Sequence, residues 1–326
     1  MNDRARQLRS NLLRRYYKSA VLGWERPRSF HWAKVVDDRG HWRWTRADMG
    51  IRGRLLRNPP IHLYQTVNRF RTEGPPRGYL TKGYFLGGPL FFDLDIGDKW
   101  TPLSIWQLKE SAYKIQELAE LLADHGDYQI KRVTFSGFRG VHVVFDSGKI
   151  ESPLELGSHA HRFPAFKDRQ RRRMMLARSV GNWCLGWDWK VSADLWRVSR
   201  VPLSLHGASA LEAIPISPPY TPKDFGEQLT KSSPFTFSTN LRIRTTRPVP
   251  LFTFIDHETY GPYRKGWATK LPIAVALHLI WLGLAKPREA GPKTAGRWFE
   301  RGWQMLFQRG VQEWSKQCLQ SKRSAA

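Results

Sequence analysis

The chain has 326 residues, 41% of them hydrophobic and 15 of them Trp, which supplies a sizeable core and excludes global disorder. Lys and Arg number 53 against 28 acids, a net charge of +25, so a polyanionic partner is expected, either nucleic acid or an anionic membrane. The start of the chain lacks the apolar stretch of a signal peptide, and the longest apolar run, 271–285, falls short of the ~20 residues a membrane span needs, so nucleic acid outranks membrane. In chain order, residues 1–20 read as a basic amphipathic helix. Leu8, Leu12, Leu13, Tyr16 and Tyr17 face inward, and Arg6, Arg9, Arg14 and Lys18 face outward. Alternating aromatic and polar residues over 30–44, around Asp38-Arg39-Gly40, predict a hairpin. Residues 61–66 read as a strand, 72–78 as a Gly/Pro loop and 90–95 as a strand. Thr101-Pro102 is expected to open a helix with Pro in its first turn and Leu108, Ala112, Ile115, Ala119 and Leu122 inside; His125-Gly126 ends it. Strands follow at 128–135 and 141–146, then a basic helix over 167–187, and a buried helix over 271–285. The tail from 287 to 326 is basic and expected to be helical over 295–317. Cys184 and Cys318 build neither a disulfide framework nor a Cys-based zinc site, and a reducing cytoplasmic setting is expected, beside the nucleoid if the cell is prokaryotic.

Three clusters carry chemical meaning. Asp93 and Asp95 lie two apart on a strand, so they share a face about 6.5–7 Å apart, while Phe92, Leu94 and Ile96 anchor the other face. Two like charges that close call for a cation, and hard oxygens of this kind suit Mg²⁺ or Mn²⁺. The alternative is a strand end whose acids reach solvent, and phosphatases and glycosyltransferases also use Asp-x-Asp. The second cluster is 136–142, Ser-Gly-Phe-Arg-Gly-Val-His. Its glycines allow a tight, anion-receiving turn, with Ser136, Arg139 and His142 as phosphate donors; an ordinary hairpin connection is the plain reading. The third spans 192–207. Asp194 is taken to open a helical turn that sets Arg197 and Arg200 on one side; Pro202 ends it, and Ser204 and His206 then share a face of an extended segment. A salt-bridged surface turn would also fit.

The joint order of these clusters resembles the catalytic small subunit of the archaeal and eukaryotic replicative primases, whose members show Asp-x-Asp, then Ser-Gly-x-x-Gly-x-His, then Asp followed by Arg-x-Pro-x-Ser-Leu-His-Gly. His62-Leu63-Tyr64 and Arg28-Ser29-Phe30-His31-Trp32 resemble further family segments, with Ser29 in place of Glu. The resemblance implies an α+β primase-polymerase core over 1–286. An RRM-like unit (88–146 and 190–215) would face an N-terminal α/β unit across the cleft, with 287–326 as a separate tail. It also implies Asp93, Asp95 and Asp194 as metal ligands for two Mg²⁺ or Mn²⁺ ions about 3.5–4 Å apart. Ser136, Arg139, His142, Arg200 and His206 would bind the nucleoside triphosphate. Arg197 would either join them or pair with Asp194. Single-stranded DNA template, tracked by Arg169–Arg173 and other basic residues, and a large subunit carrying an iron–sulfur domain are the implied partners. Two departures stand out: residues 96–130 hold no Cys and a single His, His125, so no family-type structural zinc is expected, and Ala208 stands where Lys is frequent. The expected activity is primer synthesis during DNA replication. The rivals are a primase-polymerase in repair, translesion or plasmid replication, a metal-dependent phosphatase, and a non-catalytic nucleic-acid-binding module.

Overall fold

The computed structural model describes residues 3–20, 22–24, 31–37, 39–47, 50–70, 85–96, 101–124, 128–147, 174–175, 178, 187–188, 191–192, 194 and 197–288. The expected loop at 72–78, the helix end at His125-Gly126, the tail helix and both cysteines lie outside them, as does most of the basic helix at 167–187, including Arg169–Arg173.

The amphipathic start forms α1 (Asp3–Ser19), with Leu12, Leu13, Tyr16 and Tyr17 all within 2% of full burial. Arg9 corrects the expected polar face. It is 7% exposed, with Nη1 3.5 Å from the Gly207 carbonyl. Helical spacing puts it one turn from Leu12 and Leu13, so it shares their buried stripe and brings its charge inward. The predicted hairpin is β1 (Trp32–Val36) and β2 (Trp42–Arg46), paired antiparallel with Val36 opposite Trp42. Gly40 turns the corner at φ 84°, a backbone state that costs an L-residue a clash. After α2 (Ile51–Arg57), β3 (His62–Thr66) pairs with the other edge of β1. Two short strands, β4 (Arg69–Phe70) and β5 (Phe85–Gly87), pair with each other.

The second sheet grows from β6 (Leu90–Asp95), α3 (Ile105–Asp124), β7 (Tyr128–Phe135) and β8 (Gly140–Ser147), the strand–helix–strand–strand order expected from the sequence. Pro102 does not start α3, which begins three residues later. The reason is tertiary: the Leu103 amide donates to His278 Nε2 at 3.2 Å, holding the segment extended, and the Ser104 carbonyl takes the first helical amides. Leu108, Ala112, Ile115 and Leu122 are buried as expected, with Leu118 taking the place of the partly exposed Ala119.

Two more strands lace the sheets together. β9 (Val198–Arg200) adds to β3, giving the first sheet the order β2-β1-β3-β9. β10 (Ile214–Ile216) adds to β7, giving the second the order β10-β7-β8-β6. The connection between them is therefore pinned at both ends, and it carries the third motif. It is not the extended segment expected over 203–207. The Ser204 amide returns to the Val201 carbonyl, and Leu203 sits at φ 61°. Its conformation is held by its amide on Ala213 and its carbonyl under the Tyr16 hydroxyl at 2.6 Å.

Beyond the motifs, α4 (Pro222–Leu229) starts with Thr221 accepting from the Asp224 amide and Pro in its first turn. A third sheet, order β14-β11-β15, follows from β11 (Asn240–Thr245), β14 (Ala268–Pro272) and β15 (Ala285–Pro287). A small hairpin of β12 (Phe252–Thr253) and β13 (Thr259–Tyr260) interrupts it. The apolar run at 271–285 is buried as expected but yields a shorter helix, α5 (Ile273–Trp281), because both its ends are drawn into β14 and β15. No helix among the described residues is long and apolar enough to cross a membrane. One contiguous apolar core runs from Leu12 through Phe92 and Phe145 to Ala285, joining the elements of all three sheets.

Candidate active site

The alternation along β6 explains how a strand holds acids in apolar company. Phe92 and Leu94 are fully buried, with Phe92 edge-on to Phe145 at 5.9 Å and to Trp187 at 6.0 Å. Burial of each such side chain contributes about 1.5–3 kcal/mol, which fixes the register and turns Asp93 and Asp95 to the opposite face. β8 pairs antiparallel with β6, so Asp93 lies opposite His142 and Asp95 opposite Gly140.

The turn between β7 and β8 needs its glycines for two different reasons. Gly137 has φ +86°, and a Cβ there would meet His206 and the Leu211 carbonyl at 3.0 Å. Gly140 has ordinary backbone angles, but its Cβ would stand 2.7 Å from Asp95 Oδ1. Ser136 closes the turn, its amide donating to the Gly140 carbonyl at 2.8 Å and its Oγ accepting from the Gly140 amide at 3.1 Å. The hydroxyl proton of Ser136 is left for another acceptor. Arg139 Nη2 meets Asp95 Oδ2 at 2.9 Å.

The third motif corrects one local expectation. Arg197 and Arg200 are not set on one side by a helical turn. A single turn returns the Arg197 amide to the Asp194 carbonyl, and the chain then extends into β9. Pairing with β3 sends Arg200 inward, where it is 2% exposed. Its Nη2 donates to His62 Nδ1 at 2.7 Å, and its guanidinium lies 4.4 Å from the Tyr64 ring. Nη1 is buried with no hydrogen-bond partner among the described residues. Arg197 Nη2 comes within 3.9 Å of Asp93 Oδ2. Ser204 turns away from His206 and donates to the Leu63 carbonyl at 3.4 Å.

Three imidazoles surround Arg200, and each accepts through Nδ1. His62 takes Arg200 itself, His142 the Arg200 amide at 3.4 Å, and His206 the Ala208 amide at 3.1 Å. That leaves Nε2 of each as the protonated nitrogen of a neutral ring. Burial, reinforced by the Arg200 charge, lowers all three pKa values, that of His142 to about 3. His142 Nε2 points at Asp93 Oδ1, 3.5 Å away. The surroundings of Arg200 thus hold several N–H donors, a chemistry that suits phosphate oxygens.

Burial raises the Asp93 carboxyl to about 6, with Arg197 opposing the shift and Asp188 adding to it; burial and Asp93 raise Asp95 as well, against Arg139. Two hard carboxylates on one face, each resisting charge in its present surroundings, have the donor chemistry of a magnesium or manganese site completed by substrate phosphates. Among the described residues no three His, Cys, Asp or Glu side chains are grouped to hold a metal ion by themselves. Asp194 stands just ahead of β9, whereas the further acid whose charge Asp93 feels is Asp188. The Asp188 amide donates to the Asp93 carbonyl at 3.0 Å beside the Leu94–Trp187 bridge. Asp188 and the role of His62 were missed from sequence. The visible signal for the first was an acid between two tryptophans, Trp187 and Trp189; for the second, a His at the start of an apolar strand.

No family model matches the chain. It is similar to curated relatives: the DNA primase small subunit PriS of Pyrobaculum calidifontis is 26% identical over 269 residues, 70% of this chain and 82% of that protein. The DNA primase small subunit PriS of Pyrobaculum aerophilum is 25% identical over 203 residues, 51% of this chain and 63% of that protein. Among solved structures, the AEP domain of the cyanophage S-2L primase-polymerase aligns with a TM-score of 0.36 and 12% identity, over 68% of this chain and 97% of that one. The resemblance to primase small subunits drawn from the three motifs is matched by the two curated relatives, and the architecture is α+β.

Proposed function

We propose that the chain performs template-directed nucleotidyl transfer, as the catalytic small subunit of a primase that joins nucleoside triphosphates on single-stranded DNA during replication. One observation carries the reading: three segments far apart in sequence meet. Asp93 lies opposite His142, the Arg200 amide reaches His142, and Arg197 reaches Asp93.

Asp93 and Asp95 hold the divalent cations in this reading, with Asp194 as the third carboxylate. Mg²⁺ or Mn²⁺, when bound, supplies activation of the attacking hydroxyl and neutralisation of triphosphate charge. His142 keeps Asp93 in place by donating Nε2–H to it and remains uncharged. The free Nη1 of Arg200, Nε2–H of His206 and the hydroxyl of Ser136 donate to phosphate oxygens and stabilise charge developing on the departing pyrophosphate. Arg139, held by Asp95, is placed to exchange that partner for a phosphate. The names of the relatives as small subunits support a large-subunit partner, and in a prokaryotic cell a DNA template supports work in the cytoplasm beside the nucleoid.

The experiment is synthesis from labelled nucleotides on single-stranded DNA with Mn²⁺ or Mg²⁺. Wild type makes products that begin with a triphosphate, and Asp93→Ala makes none. Synthesis undiminished in Asp93→Ala sinks the assignment, and extension limited to supplied primers moves the activity from priming to repair-type polymerisation.

A further inference from the structure

We propose that single-stranded nucleic acid docks in a groove on the outer edge of the first sheet, three strands away from β9. The proposal rests on the nucleotidyl-transfer reading for its biological sense, but its physical basis is separate. The groove, of about 460 Å³, runs between α1 and the edge strand β2 and is lined by Arg14, Arg43, Arg57 and Trp42. All three arginines are exposed, and none makes a side-chain hydrogen bond or ion pair with a described residue. The one acid lining the groove among the described residues, Asp37, is already engaged. Its Oδ1 takes the amides of Arg39 and His41 at 2.9 Å each, and its Oδ2 lies 3.6 Å from His41 Nδ1. Asp37 offsets one charge at most, so three guanidinium groups lining one groove keep a net positive charge that an anion relieves.

Trp42 selects among anions. Its ring is 58% exposed at the rim, with Lys34 Nζ 4.9 Å from the ring centre and Trp44 edge-on at 6.3 Å. An indole face beside free guanidinium groups fits an unpaired base next to its phosphates. A duplex hides its base faces, and an acidic peptide offers charge without rings. The placement also suits the reaction. β1 and β3 separate β2 from β9, so at ~4.8 Å per strand the groove lies roughly 15 Å across the sheet from the Arg200 backbone, a few nucleotides along a strand.

The test is fluorescence anisotropy of a labelled 20-residue oligodeoxythymidine with the full chain, at several salt concentrations. The Arg14→Gln/Arg43→Gln/Arg57→Gln protein is expected to bind at least tenfold more weakly. The slope of log affinity against log salt should become shallower by about 2, at ~0.7 for each phosphate the protein no longer neutralises. Trp42→Ala should lose roughly tenfold, and Trp42→Phe should recover most of it. The single arginine variants and Trp42→Ala, checked by circular dichroism, read the groove even where the triple variant folds poorly. Wild-type affinity and salt slope in all of these overturn the proposal, as does displacement of the oligonucleotide by an equal-length polyglutamate at equal concentration, which would assign the groove to an acidic protein. Asp93→Asn separates the two readings. It should bind the oligonucleotide like wild type, and groove variants that lose binding in a protein with no synthetic activity leave the groove standing while the polymerase reading falls.

Discussion

The carboxylate edge and the outer groove are both rich in arginine, yet their arginines are held in opposite ways. Around Asp93 and Asp95 the described arginines are already committed. Arg139 is on Asp95 at 2.9 Å, Arg197 is 3.9 Å from Asp93, and Arg200 is buried against His62 and Tyr64. In the groove, Arg14, Arg43 and Arg57 stand in solvent, with no described acid of their own. Arg200 is the desolvated one; Arg139 and Arg197 are partly exposed and are held by their carboxylates. Charges held in fixed positions suit chemistry on a phosphate. Solvated, uncommitted charges give affinity that salt erodes, which is what holding a long strand needs. On the two proposals made above, the net charge of +25 would serve two purposes that composition alone does not separate.

The sharpest way to break that contrast is to exchange Arg200 for Lys. An ammonium keeps the charge but cannot bond His62, sit over the Tyr64 ring and offer a free N–H in the fork geometry of a guanidinium. Arg200→Lys should raise KM for nucleoside triphosphate about 10- to 100-fold, from the absence of one or two charge-assisted bonds, with oligonucleotide affinity unchanged. The same exchange at Arg43 should alter neither by more than about twofold, because a solvated charge is nearly interchangeable. Equal effects at both positions would erase the distinction.

A smaller effect is expected from Gly140→Ala. The added Cβ must push Asp95 Oδ1 aside from 2.7 Å, at a cost of roughly 1–3 kcal/mol in denaturant unfolding. Synthesis should fall further than this loss of stability explains, since the carboxylate itself moves. Gly53→Ala, in α2 where a Cβ meets nothing within 4 Å, is the control, with stability unchanged or slightly raised.

The smallest effect concerns Glu212, behind the site. Burial pushes its carboxyl up to about 7, against a bond with Tyr16. A folded-state pKa above the free value means that the native chain binds this proton more tightly. Stability is therefore lost as pH rises from about 4.5 to 7 and stays lower above that window. Glu212→Gln has no proton to lose. It should match wild type near pH 4 and exceed it by about 1–2 kcal/mol at pH 8, allowing for partial exposure. A constant difference across pH would mean that Glu212 is charged throughout.

Part of this was legible in the sequence because it rests on period-two alternation: in β6, Phe92 and Leu94 are buried while Asp93 and Asp95 are less so. The strands of the β1–β2 hairpin and of the β7–β8 pair were legible from their apolar and aromatic content and the turns between them, since β2 is exposed or half-buried throughout and β8 is buried on both faces over 140–145. The facing of Asp93 and His142 follows once the turn at Gly137 fixes the register. What stayed hidden was decided by distant partners. His278, 175 residues away, holds Leu103 out of the helix that Pro102 seemed to start. Tyr16 and Ala213 hold Leu203 in a left-handed state its side chain disfavours. Arg9 shares a helical stripe with leucines, and a rule that sends arginine to water misplaces it. Asp188 reaches the site because Trp187 bridges to Leu94, a pairing that no short motif spells.

The proposed role of the β6 acids is to bind divalent cations. Mn²⁺ titration followed by electron paramagnetic resonance tests it without any assay of synthesis. Wild type should take up Mn²⁺ more tightly when a nonhydrolysable nucleoside triphosphate is present, and Asp93→Asn and Asp95→Asn should each lose that uptake while remaining folded. Uptake by both variants equal to wild type would contradict the account.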